Sequence, residues 1–171
     1  MTLPSEWALG YARQASADFE TFEALQILPG IPNCHKLLFL QMACEKLCKA
    51  HLIASGSDPK ALQSSHGYVA GPLPVVVRQQ IVLMFSRLKG TEGIQTATRH
   101  LAQEIELLNP AVDRAGDRRD NCEYPWESGG TLRSPLDWSF GPSHLLTERH
   151  GRTILKLIKL AIRRLVESSA T

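Results

Sequence analysis

Apolar side chains recur every three or four positions through much of this chain, which is the spacing of one buried face of an α-helix. The first such stripe lies between residues 5 and 26 and consists of Trp7, Tyr11, Ala15, Phe19 and Phe22. Pro29 and Pro32 then interrupt the pattern, because proline cannot continue a helix. The pattern therefore predicts a first amphipathic helix over residues 5–26.

The second segment, residues 34–54, contains neither proline nor glycine and is apolar on nearly every side. A helix of that composition is expected at the buried centre of a bundle. Its polar exceptions Gln41, Glu45 and Lys49 lie four residues apart and therefore on one face, with Lys46 beside them. Charges on a central helix must reach solvent or find partners. Three interpretations of this polar face stay open: a structural network, a contact across a dimer interface, or the lining of a nucleotide pocket.

Three further segments have helical periodicity and predict helices over residues 74–88, 94–108 and 143–168. The first of them starts at a proline, which suits the first turn of a helix. Its apolar stripe consists of Val77, Ile81, Met84, Phe85 and Leu88. Residues 55–74, which are rich in serine, glycine and proline, form the connection that precedes it.

Residues 111–143 lack helical periodicity, and their second half carries four large aromatic side chains: Tyr124, Trp126, Trp138 and Phe140. A loop of this length is uncommon in a compact domain unless it is functional or disordered. Four large aromatic residues argue against disorder. We therefore predict a single all-α domain, residues 1–171, formed by a bundle of about five helices with a long ordered loop before the last helix.

The polar face of the second helix reads Gln-x-x-x-Glu-Lys-x-x-Lys-Ala over residues 41–50. This pattern resembles the second helix of HEPN domains, which are small all-α modules of toxin–antitoxin pairs, defence systems and RNA processing. The resemblance implies a HEPN-like bundle that forms a homodimer, with a nucleotidyltransferase-type antitoxin as a candidate partner. HEPN-like proteins often place a histidine in the following connection, and His66 resembles that position.

Ribonucleases of the HEPN family carry an arginine followed, after four to six residues, by a histidine. No arginine of this chain precedes a histidine at that spacing. The chain is therefore expected to be a non-catalytic interaction or RNA- or nucleotide-binding module in a defence or toxin–antitoxin setting. The alternative is an active, metal-independent ribonuclease with an atypical constellation of His144, Arg149 and Arg152.

A row of basic residues marks the last predicted helix. It consists of Arg149, Arg152, Lys156, Lys159 and Arg163, which are spaced three, four, three and four apart. Residues at these offsets share one helix face. We expect any binding of RNA or a nucleotide to use this row, and to be weak and salt-dependent because it would run through phosphate contacts.

The bulk properties exclude several other classes of protein. The formal net charge is only +2, so a nucleic-acid site must be a local patch. No uncharged apolar run reaches membrane-spanning length, and the first residues do not resemble a signal peptide, so we expect a cytoplasmic location. Cys44, Cys48 and His51 share a helix face, but an apolar helix favours core packing, and we expect no metal and no cofactor.

Overall fold

The computed structural model describes residues 3–85, 90–112 and 120–168, which form seven α-helices and one small hairpin. The helices are α1 (Pro4–Ile27), α2 (Asn33–Ala54), α3 (Pro59–Gln63), α4 (Pro72–Phe85), α5 (Glu92–Glu106), α6 (Gly141–Thr147) and α7 (Arg149–Ser168). The prediction of an all-α bundle is confirmed. None of the helices in the described ranges combines the length and the apolarity that crossing a membrane would require.

Helix α2 lies at the centre of the bundle, as its sequence predicts. It packs along α1 and also contacts α4, α5 and α7. Leu37, Leu40 and Leu47 point into one continuous apolar core that these helices share. Three polar side chains of α2, those of Gln41, Glu45 and Lys49, are buried with its apolar residues, and this is what creates the candidate site.

The two ends of helix α4 differ in their surroundings. Val77 and Ile81 are buried in the core, as predicted, but Met84 is 52% exposed, so its place in the buried stripe was a wrong prediction. Val82 and Leu83, which follow Ile81 in the same helix, are exposed as well. Leu88 lies outside the described residues. The C-terminal part of α4 therefore presents an apolar surface to solvent.

The connection between α2 and α4 holds a helix that the sequence analysis missed. Helix α3 starts after Asp58, whose Oδ1 accepts a hydrogen bond from the backbone N–H of Lys60 at 3.0 Å. This is an ordinary N-terminal cap. The helix is only five residues long, so it has no apolar periodicity to recognise, and it buries one side chain, Leu62.

The last predicted helix is in fact two helices. Residues 143–168 were expected to be continuous, but Glu148 adopts an extended conformation between α6 and α7. Gly151 lies against α6 so closely that a Cβ atom there would stand 2.0 Å from the carbonyl oxygen of Leu145. Only glycine permits this approach, so Gly151 allows the two helices to meet at a sharp corner.

The aromatic segment forms a compact excursion on the bundle. Strands β1 (Trp126–Ser128) and β2 (Thr131–Arg133) pair antiparallel, and their register places Trp126 opposite Arg133. Gly129 and Gly130 both have positive φ, as a tight two-residue hairpin turn requires. A short 3₁₀ turn follows at Pro135–Asp137. Part of the loop before the last helix, residues 126–137, thus has regular structure, which the absence of helical periodicity did not reveal.

The aromatic rings of this excursion divide into a buried and an exposed pair. Trp126 and Phe140 join the core, whereas Tyr124 and Trp138 retain considerable exposure. Trp126 and Trp138 meet edge to face, with ring centroids 5.4 Å apart. The expected packing on the bundle therefore holds for two of the four rings. The charged residues 113–119 lie outside the described residues.

Candidate functional site

The Glu45 carboxylate is the centre of a buried polar cluster. Its Oε1 lies 2.8 Å from Lys49 Nζ and 3.1 Å from His66 Nδ1. Its Oε2 accepts hydrogen bonds from Gln41 Nε2 at 2.9 Å and from Asn109 Nδ2 at 3.3 Å. We call these five residues the Glu45 cluster. An ionised carboxylate offers about four acceptor positions, so these four donors occupy them.

Three separate segments meet in this cluster. Gln41, Glu45 and Lys49 lie on successive turns of α2, so helical periodicity alone places them on one face. His66 comes from the connection between α3 and α4, and Asn109 follows the end of α5. The cluster therefore ties the central helix to two parts of the chain that are remote in sequence.

The charges of the cluster are well removed from solvent. Glu45 is 8% exposed and Lys49 is 3% exposed. Burial by itself raises the pKa of the Glu45 carboxyl, but hydrogen bonds from Lys49 and Gln41 outweigh it, so the pKa is lowered from its ordinary value. The Lys49 ammonium also lies 5.9 Å from the centre of the Tyr11 ring. The Glu45 carboxyl is therefore ionised at neutral pH.

The connection that carries His66 is fixed by a second carboxylate. Glu106 Oε2 accepts hydrogen bonds from the backbone N–H groups of Val69 and Ala70, both at 2.8 Å. The side chain of His66 is 41% exposed. One ring nitrogen therefore faces Glu45 while the other side of the ring reaches the surface, which makes His66 the solvent-facing member of the cluster.

The polar pattern predicted on α2 did not include Asn109 and Glu106, and its member Lys46 lies outside the Glu45 cluster. Lys46 Nζ lies 2.5 Å from Asp18 Oδ2 and joins α2 to α1 at a place apart from Glu45. Asn109 lies just beyond the helix predicted over residues 94–108 and was assigned no role. Glu106 and Asn109 are three residues apart, at and just after the end of α5, and each follows an apolar residue, Ile105 or Leu108. A polar pair at this spacing was the feature of the sequence that could have predicted their role.

The thiol face of α2 is part of the core. Cys44 and Cys48 are fully buried, and burial raises the pKa of Cys44 to about 12 and raises that of Cys48. His51, whose pKa is lowered by burial, borders a surface cleft that Gln80 and Arg164 also line. Within the described ranges no three His, Cys, Asp or Glu side chains converge as a metal site would require.

We expect the protein to contain no stoichiometric zinc. A thiol must lose its proton to bind zinc, and burial of Cys44 and Cys48 opposes that loss. Elemental analysis of protein purified without added metal measures this directly. One zinc per chain that disappears in Cys44→Ser, with the helical circular dichroism unchanged, would contradict the expectation.

The basic row on α7 forms an exposed face. Its five members are Arg149, Arg152, Lys156, Lys159 and Arg163, and all five are exposed. Lys159 Nζ lies 2.7 Å from Glu23 Oε2, and Arg163 Nε lies 3.2 Å from Glu167 Oε1. In the part of the chain that the structure describes, the other three make no ion pair. We call these five residues the cationic face.

A groove runs beside the cationic face, bordered by α1, α4 and α7. Its volume is about 760 Å³, and most of the surface that it exposes is apolar. Phe19, Leu157 and Ile162 form its buried floor, while Met84, Leu160 and Val166 form walls that are exposed or half-buried. Lys156, Lys159 and Arg163 stand at its rim.

The atypical catalytic constellation is divided by the corner at Glu148. His144 lies on α6, whereas Arg149 and Arg152 lie in the first turn of α7. The side chain of His144 is exposed, and its Nε2 lies 3.2 Å from Ser139 Oγ. The shared helix that would have carried the three residues is therefore absent.

Comparisons with protein-family models, with curated proteins and with solved structures find no match to this chain. The HEPN resemblance therefore rests on the polar pattern of residues 41–50 and on the position of His66, and it stays a prediction.

Proposed function

We propose that this protein is a non-catalytic, HEPN-like interaction module whose binding surface is the cationic face of α7. The observation that carries the proposal is the exposure of five cations on one side of a single helix. From Arg149 to Arg163 the face extends over about 21 Å, given a rise of about 1.5 Å per residue. A surface of this length and sign attracts an extended acidic partner.

Two features favour binding over catalysis. The Glu45 carboxylate is ionised and surrounded by four donors, so it lacks an open position from which to exchange a proton with a substrate. His144, Arg149 and Arg152 belong to two helices that meet at a corner. A general base must also reach its proton within hydrogen-bonding distance, and His144 Nε2 lies beside Ser139 Oγ rather than beside either arginine.

The setting that we propose is a defence or toxin–antitoxin pair, in which the protein is a homodimer and a nucleotidyltransferase-type antitoxin is the candidate partner. This part of the proposal rests on the Gln41, Glu45, Lys46 and Lys49 pattern. Light scattering at micromolar concentration tests the homodimer, since it separates the mass of one chain, 18.9 kDa, from twice that mass.

We expect reversal of Arg152 and Lys156 to glutamate to abolish retention on a heparin column at low salt. Both side chains are exposed and make no ion pair among the described residues, so the fold should survive. Binding of a single-stranded RNA oligonucleotide, measured at several salt concentrations, is the second test. Each lost phosphate contact lowers the slope of log binding constant against log salt concentration by about 0.7, so the double substitution should lower that slope by about 1.4.

The matched control for this pair is Lys60→Glu with Arg133→Glu. Both residues are exposed and lie outside α7. Each substitution removes two units of charge, so either pair changes the formal net charge from +2 to −2. Equal loss of retention in the two double variants would show that net charge alone is responsible, and would refute the proposed binding face.

A further inference from the structure

The groove beside the cationic face has exposed apolar side chains, which a surface that binds only phosphates does not need. Nucleic acid bound through phosphates requires exposed cations only. Here Leu160, Val166 and Met84 add an apolar wall that is open to solvent. An exposed apolar groove rimmed by charged residues is typical of a site for a protein partner.

We propose that this groove binds an amphipathic helix of a partner protein, with the apolar side of that helix in the groove and its acidic side chains against the cationic face. This inference rests on the proposed function, because it uses the same cations and names the class of partner. The groove volume of about 760 Å³ lies within the range of about 300–1,000 Å³ that is usual for binding sites in proteins.

The spacing of the rim residues fits a helical partner. Lys156, Lys159 and Arg163 are separated by three and four residues. An amphipathic helix presents its own side chains at the same offsets, so acidic residues one turn apart can meet successive cations while apolar residues between them enter the groove. Arg149 and Arg152 extend this row beyond the groove.

The acidic residues near the groove do not cancel this complementarity. Glu23 and Glu167 pair with Lys159 and Arg163, but these side chains are largely exposed, and exposed ion pairs contribute little. Glu20 accepts a hydrogen bond from Ser16 Oγ at 3.0 Å. Of the three cations at the rim, Lys156 makes no ion pair among the described residues, so it is the first of them available to an acidic partner.

Two designed peptides test the proposal. Both carry the same apolar helical face, and one has glutamate and the other lysine on its polar face. Fluorescence anisotropy with the full-length protein should show at least tenfold tighter binding of the glutamate peptide. Lys156→Glu should remove most of that preference, whereas Lys60→Glu, on α3, should leave it within twofold.

The apolar wall is tested with Met84→Glu. Because Met84 is already exposed, the fold should tolerate this change. The substitution should weaken binding of the glutamate peptide at least tenfold. The control is Val75→Glu on the same helix, since Val75 is similarly exposed and does not line the groove; it should change binding less than twofold.

The outcomes separate this inference from the proposed function. If heparin and RNA binding require Arg152 and Lys156 but the glutamate peptide binds equally well to Met84→Glu, the partner is a polyanion, and the inference fails while the proposed function stands. If a dimer dissociates in Met84→Glu, the groove holds a second copy, and the inference also fails. If heparin, RNA and both peptides all fail to bind, both proposals fall.

Discussion

Replacing Glu45 with alanine should lower the free energy of unfolding by about 3–5 kcal/mol, because it leaves the buried Lys49 ammonium without its partner. The lost carboxylate also deprives Gln41 and Asn109 of an acceptor for their amide groups. A buried donor without a partner adds its own desolvation cost. Urea unfolding followed by circular dichroism at a helical wavelength measures the difference.

The matched control is Glu23→Ala, which removes an acid from the exposed pair with Lys159. Exposed pairs contribute about 0.2–1 kcal/mol, so this variant should unfold at nearly the wild-type urea concentration. Glu45→Gln provides a milder change if the alanine variant does not fold, since it removes the charge and retains a hydrogen-bonding side chain. Equal effects of the Glu45→Gln and Glu23→Ala substitutions would show that the Glu45 cluster is not a source of stability.

The Glu45 cluster should also make the free energy of unfolding depend on pH. The pKa of Glu45 is lower in the folded protein than its ordinary value of 4.5. The stabilisation that the ionised Glu45 carboxylate contributes is therefore fully present above about pH 4.5. It is lost as the pH falls through the lower, folded-state pKa. The gap in unfolding free energy between wild type and Glu45→Gln should consequently narrow in acid, and a gap that widens below pH 4.5 would contradict the assigned sign.

The second large effect is expected for Trp126→Ala, which should lower the free energy of unfolding by about 3–5 kcal/mol. Trp126 is 7% exposed and belongs to the core. Its removal leaves a cavity and also ends the edge-to-face contact with Trp138. Circular dichroism is the suitable probe, because the substitution itself alters tryptophan fluorescence.

The control for this prediction lies two residues away. Tyr124 is an exposed aromatic residue of the same segment, and Tyr124→Ala should change stability by about 0.5 kcal/mol or less. If Trp126→Ala and Tyr124→Ala melt at the same temperature, the excursion is not anchored by its tryptophan, and the segment becomes a candidate binding element.

The long helices could be predicted because each repeats its signal over several turns. The starts of α1 and α2 were each predicted within one residue of where the helices begin, at Pro4 and Asn33. Helix α3 was missed because five residues hold too few turns for a periodic pattern. The corner between α6 and α7 was missed because Gly151 is tolerated inside a helix, and its close contact with Leu145 is a tertiary feature.

The candidate site could be predicted only where it lies within one helix. Gln41, Glu45 and Lys49 follow from their spacing, and so does the cationic face of α7. Asn109 lies 64 residues from Glu45, and a hydrogen bond over that separation depends on how α5 packs against α2. The groove is formed by side chains of three helices, α1, α4 and α7, so it could not be predicted from the pattern of any one segment.

All four cysteines of the chain are buried and none forms a disulfide, which provides a natural means of following how the molecule opens. A thiol reacts with an alkylating reagent only when it is exposed and deprotonated. Cys44 and Cys48 lie on the central helix, so their labelling should require cooperative opening of the bundle. Cys34 lies in the first turn of α2, and Cys122 precedes the hairpin by four residues. The order in which mass spectrometry finds the four sites labelled would therefore rank the regions of the fold by their local stability, with no introduced probe.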